Sequence, residues 1–226
     1  MMTLTEYQML RDRCFDFFKN QTIVDIITVA YSESHRAYHT LDHIRAMLEL
    51  LDSIDLGSDK HQAMELAIWF HDYTYSVDAI AYPDNETNSV IHMCQLCGEY
   101  FPHLSSVLGD AAVFIIATKK HLIPNDLVVD SPMHTACGLF LDIDLSILSA
   151  DRPVIDQFDI NIRQEFNIYD DMTFASGRLA AMLVFQDRPF IYYSEHFQNL
   201  FEFKARNNVS YIVAKWSATL DRLQST

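Results

Sequence analysis

Three short stretches of this chain hold side chains that could bind a cation or move a proton. His39 and His43 stand four residues apart, a spacing that puts two side chains on one helix face, one turn from each other. His71-Asp72 closes a segment, Met64 to Phe70, that is otherwise apolar nearly all round. Asp142 and Asp144 sit inside a third apolar stretch, GLFLDIDLSIL at 138–148. An ionised carboxylate buried without partners is very costly, so each buried aspartate needs a cation or several donors. Three helices converging on one cation through imidazole and carboxylate groups would meet that need. Mixed nitrogen and oxygen ligands suit Zn, Mn, Fe, Co or Ni, and a carboxylate-rich set also tolerates Mg. Two residues on a helix are about 200° of rotation apart, so Asp142 and Asp144 cannot both face one site directly. A helix-terminal ion pair is the plain alternative for His71-Asp72.

The elements that must position these residues read as helix after helix. Thr3-x-x-Glu6 has the form of a capping box for a first helix running to about Lys19. A second covers Ile23 to Tyr31, and Ser32 to Tyr38 reads as a polar loop. From Thr40 to about Ile54, Leu41, Ile44, Met47, Leu48 and Leu51 recur at helical spacing. Gly57 and Ser58 break that helix, and Asp59 with Gln62 can cap the next, whose apolar girth marks it as central and buried. After a loop containing Pro83, helices are expected at about 85–100 and 105–119, with a loop from Leu122 to Pro132. GLFLDIDLSIL then continues as helix, followed by helices at about 153–168, 174–185 and 198–223. Strand signals are weak throughout, and only 5 glycines and 6 prolines are present, which disfavours a fold of many tight turns. The expectation is an all-α fold with a metal site between central helices. It forms a single domain over 1–226, with a core at about 31–150 and C-terminal helices at about 151–226 packed on it.

The formal net charge of -15 repels polyphosphate backbones and argues against nucleic acid as a partner. It leaves room for a small anionic substrate, because a bound divalent metal inverts the local field. Glu6, Arg11, Asp12 and Arg13 interrupt the start of the chain before a secretory layout can form. No apolar run approaches the roughly 20 residues of a membrane span. Four scattered cysteines suit reduced thiols in a cytoplasm. Cys94 and Cys97, at i and i+3 of a helix with no second such pair, read as helix-face thiols rather than a zinc or redox motif.

The order YHTLDH (38–43), FHD (70–72) and LDIDLSIL (141–148) resembles the HD superfamily of metal-dependent phosphohydrolases. More narrowly, it is similar to a bacterial subgroup of stand-alone HD-domain proteins. Further landmarks of that subgroup are Asn85-Glu86 with Ser89, TKKH at 118–121, IRQEF at 162–166, Gly177-Arg178 and ARNN at 205–208. By this resemblance the metal ligands are His43, His71, Asp72 and Asp144. His43 is preferred to His39 because the Y-H-x-x-x-H element is similar to that of cyclic-nucleotide phosphodiesterases. In those enzymes the second histidine binds metal and the first acts as a general acid. His39 thereby becomes the candidate proton donor, with orientation of a ligand as its alternative role. Asp144 is preferred to Asp142 for its Asp-Leu-Ser context. The resemblance also marks Glu86 as a residue to orient the attacking water. His121 is marked as a ligand for substrate phosphate or for a second metal. Helix-dipole interactions are the alternative for both. Arg163, Arg178 and Arg206 are candidate clamps for a phosphate or carboxylate. For each alone, a salt bridge among the late helices takes precedence, as between Arg163 and Glu165 or Asp159.

The resemblance implies hydrolysis of a phosphate ester or anhydride on a small molecule, a nucleotide among the candidates, with one or two metal ions. Two other readings stay open. HD-type proteins that hold a di-iron centre activate oxygen, and His92 and His121 are the internal histidines available for such a site. A non-catalytic regulatory HD protein would bind a nucleotide without turning it over.

Overall fold

A computed structural model of the chain describes residues 2–78 and 84–225. Pro83, expected in a loop, lies outside the described residues. Among the described residues the regular structure is all helical, with ten α-helices and two 3-10 turns. The chain divides into two compact units, Met1–Phe140 and Leu141–Thr226.

In the first unit, α1 (Leu4–Phe18) begins at the capping box read from the sequence. The Thr3 hydroxyl accepts the Glu6 N–H, and the Glu6 carboxylate accepts the Thr3 N–H. Asn20 caps α2 (Gln21–Ala30) with its side-chain oxygen. The next helix, α3 (Leu41–Asp52), follows Thr40, whose hydroxyl accepts the Asp42 N–H. Its five periodic apolar residues are buried. In α4 (Ser58–Phe70) every residue from Ala63 to Phe70 is buried, because the helix packs against α3, α5 (Asn85–Tyr100) and α6 (Leu108–Thr118). The expected Asp59–Gln62 cap does not form; Gly57 precedes the helix, and Asp59 lies in its first turn. Full burial of a side chain such as Leu66, Ile68 or Phe70 contributes about 1.5–3 kcal/mol each. That offsets the about 1–3 kcal/mol cost of setting a polar group at the end of such a helix.

The helix expected from Gly138 starts earlier. α7 spans Pro132–Asp144, and its first-turn proline needs no N–H partner and has a helical φ already set. It runs unbroken through the division between the units, which falls after Phe140.

The second unit continues from α7 into a 3-10 turn at Leu145–Ser149, then α8 (Arg152–Glu165), α9 (Asp171–Gln186) and α10 (Glu195–Gln224). There α10 packs on α9, on α8 and on the 3-10 turn. Buried Asp159 of α8 accepts from Arg178 of α9 (3.0 Å) and from Lys215 (2.7 Å) and Trp216 (3.0 Å) of α10. Several donors meet there, as a buried carboxylate requires. No single helix among the described residues is long and apolar enough to cross a membrane.

Candidate metal centre

His71 caps the C-terminal end of α4 and is 1% exposed. Its Nδ1 lies 3.0 Å from the Ile68 carbonyl, which can only accept, so Nδ1 carries a proton, and Nε2 bears an electron pair whenever the ring is neutral. That Nε2 is 3.1 Å from Nε2 of His43 and 2.9 Å from Oδ2 of Asp72. The His43 Nε2 and the same Asp72 oxygen are 3.9 Å apart. His43 is buried in the first turn of α3, and its other ring nitrogen is 3.3 Å from the Tyr38 hydroxyl. In the neutral tautomer that donates Nδ1–H to Tyr38, Nε2 bears the electron pair.

Two imidazole nitrogens and a carboxylate oxygen thus crowd together, and their electron pairs repel unless a proton or a cation lies among them. Burial alone would raise the Asp72 carboxyl. Charge on His71, His39 and His43, with the hydrogen bond from His71, outweighs burial and holds it well below the usual carboxylate range. A metal ion would supply the same positive charge with both imidazoles neutral. Ligands about 2.0–2.2 Å from an ion stand roughly 2.8–3.6 Å apart at octahedral or tetrahedral angles; the 2.9 and 3.1 Å separations fall in that range and the 3.9 Å one lies just beyond it. The donor set fits a divalent cation.

Asp144 follows from helix geometry. The Phe140 ring packs edge-on against His71, centroids 6.3 Å apart. One turn further along α7, residue 144 lies on the same face. Asp144, which the resemblance marks as a further ligand, is the last residue of α7. Asp142 is turned away, as the two-residue offset requires. It is fully buried and accepts from the Tyr193 N–H (2.6 Å), the Ser194 N–H (2.8 Å) and the Ser194 hydroxyl (2.6 Å). Burial pushes its carboxyl up to about 6, against the pull of those donors.

His39 does not share a helix with His43. Thr40 is the N-cap, so α3 starts at Leu41 and His39 lies in the bend before it. The four-residue spacing therefore has another meaning than one helical turn. The two rings still lie 6.1 Å apart, and His39 packs against Tyr75 at 4.2 Å. Glu86 is half-buried in the first turn of α5. Burial raises its carboxyl, the negative charge of Asp72 adds to the rise, and Lys119 opposes it.

The segment that follows Asp72 is held by two side chains of α5. The buried Ser89 hydroxyl of α5 accepts the Thr74 N–H at 3.0 Å. The Asn85 side chain accepts the Ser76 N–H (3.1 Å) and donates to the Ser76 carbonyl (2.8 Å). Asn85 and Ser89, noted in the sequence only as landmarks, thereby gain a physical role. Tyr38 belongs to the Y-H-x-x-x-H element but was given no role of its own, and Arg36 was missed, since an arginine in a polar loop carries no periodic or motif signal.

The remaining candidates lie as follows. His121 stands in the turn after α6 with a left-handed backbone (φ 48°), its N–H donating to the Thr118 carbonyl. Arg163 donates to Asp171 and to the carbonyls of Phe166 and Tyr169, not to Glu165 or Asp159. Arg178 donates to Asp159, and Arg206 to Glu202 and the carbonyls of Gln186, Arg188 and Pro189. All three arginines thus have partners within the second unit. Compared with protein-family models and with curated proteins, the chain matches none.

Proposed function

We propose that the protein is a metal-dependent phosphohydrolase of the HD type, acting on a small phosphorylated molecule, with nucleotides among the candidates. The observation that carries this reading is the meeting of the Nε2 atoms of His43 and His71 with the Asp72 carboxylate, 2.9–3.9 Å apart. His43, His71, Asp72 and Asp144 would hold the ion. When bound, such an ion lowers the pKa of water towards about 7 and neutralises charge on phosphoryl oxygens.

The chain's own groups supply the rest. The Ile68 carbonyl fixes the His71 tautomer and the Tyr38 hydroxyl orients the His43 ring, so both offer Nε2 without rearrangement. Asp72 stays ionised under the positive charge around it. The His39 imidazole, whose charge acts on Asp72, donates a proton to the leaving oxygen. The Glu86 carboxylate accepts a hydrogen bond from the attacking water and orients it.

The test is to screen protein of defined metal content against nucleotides and sugar phosphates. Asp72→Ala should lower kcat/KM at least 100-fold, beyond the about 10–100-fold that groups behind a metal ligand command. Activity undiminished by this substitution would overturn the centre.

A further inference from the structure

The side chain of Arg36 is fully buried, although its residue lies in a loop between α2 and α3. Its Nη1 donates to the carbonyls of Asp72 (2.8 Å) and His39 (3.2 Å), and its Nη2 to the carbonyl of Tyr73 (3.0 Å). Nε donates to the half-exposed Glu33 carboxylate at 3.0 Å. Tyr31 and Tyr75 flank the guanidinium, at 5.1 and 5.2 Å from its carbon.

These contacts join two chain segments that regular structure leaves without order. Residues 72 and 73 follow the end of α4, where carbonyls have no helical partner. His39 precedes the N-cap of α3, whose first turn carries His43. One planar group therefore ties the exit of the helix bearing His71 to the entry of the helix bearing His43. We infer that Arg36 is a positioning residue of the candidate metal centre, fixing the backbone from which Asp72, His39 and His43 project. This inference rests on the metal-site reading of those residues and adds the group that pre-orders them.

A guanidinium suits the task because its donors are fixed in one plane and can serve several carbonyls at once, with ring faces stacked on either side. A lysine keeps the charge but offers a compact ammonium that cannot reproduce the fork. Since Arg36 touches backbone rather than reacting atoms, its loss should act through ligand geometry.

The experiment measures divalent-metal affinity by calorimetric titration with Mn, Co and Zn for the full chain, Arg36→Lys and His43→Ala. Hydrogen exchange is followed in parallel. The expected result is one tight ion in the wild type and loss of binding in His43→Ala. Arg36→Lys should bind at least tenfold more weakly while keeping its helical content. Its faster exchange should be confined to residues 37–43 and 71–78. Addition of millimolar ethylguanidinium to Arg36→Ala should recover part of the affinity, which a general loss of stability would not permit. If Arg36→Lys binds as tightly as wild type, with unchanged exchange in those two segments, the positioning role is overturned while the centre stands. If the wild type binds no ion, or His43→Ala binds like wild type, the centre falls and this inference with it. If Arg36→Lys loses protection throughout the chain, the arginine serves general stability and the positioning role is likewise overturned.

Discussion

At the scale of single residues, two aspartates two positions apart have opposite duties. Asp142 accepts three hydrogen bonds around residues 193 and 194, two of them from Ser194, whose hydroxyl also caps α10. Asp144, on the other side of α7, is the residue proposed as a metal ligand. Conversion of each to asparagine separates the duties. An amide at 142 presents an N–H₂ to a donor, so Asp142→Asn should cost about 1–3 kcal/mol, the usual range for a buried group left without its partner. Metal affinity should remain within twofold of wild type. Asp144→Asn should do the reverse, weakening metal binding at least tenfold with little change in stability. Urea denaturation and calorimetric metal titration on the two variants decide the matter, and the opposite pattern would show that the aspartates had been exchanged.

At the scale of elements, the centre depends on the chain just beyond α4 keeping a shape that no helix imposes. The Ser89 hydroxyl accepts the Thr74 N–H there. Ser89→Ala should therefore destabilise the protein by about 1–3 kcal/mol, by stranding a part-buried donor. It should also speed hydrogen exchange at 72–76 ahead of the rest of the first unit. Exchange rates unchanged in that segment would mean that Arg36 and Asn85 suffice to hold it. This dependence explains which parts of the centre were legible in the sequence. His71-Asp72 stands out because charge at the end of a nearly all-apolar helix violates the pattern, whereas Asp144 is preferred to Asp142 only through the Asp-Leu-Ser context that the resemblance marks. The position of His39 was misread because Thr40 resembles a helical residue by spacing, yet its hydroxyl acts as the N-cap. Only the hydrogen bond distinguishes the two. Arg36 was invisible for another reason. Its partners are carbonyls, which every residue possesses, so no pattern of side chains announces them. Capping boxes and apolar periods are local, whereas the contact between residues 36 and 72 belongs to the fold.

At the scale of the whole molecule, a net charge of -15 attracts any divalent cation, so binding alone does not identify a centre. A built site differs from this diffuse attraction in three measurable ways. It saturates at a small whole number of ions, it resists added salt because buried pairs are screened much less than exposed ones, and it stabilises the native state through specific residues. An ion that binds only the folded protein contributes about 2.7 kcal/mol at 100 times its dissociation constant. For a chain of this size that corresponds to a rise in Tm of about 5–11 °C, taking about 2–4 °C per kcal/mol. The rise should be removed by chelation, persist when ionic strength is raised with a monovalent salt, and vanish in Asp72→Ala. The latter comparison carries most weight. The substitution removes one negative charge of thirty-one acidic side chains and so barely alters diffuse attraction, but it takes away the oxygen that lies 2.9 Å from His71 Nε2. A metal-induced rise of equal size in Asp72→Ala would place the ion elsewhere on the acidic surface, whereas its disappearance ties the stabilisation to the carboxylate that closes α4.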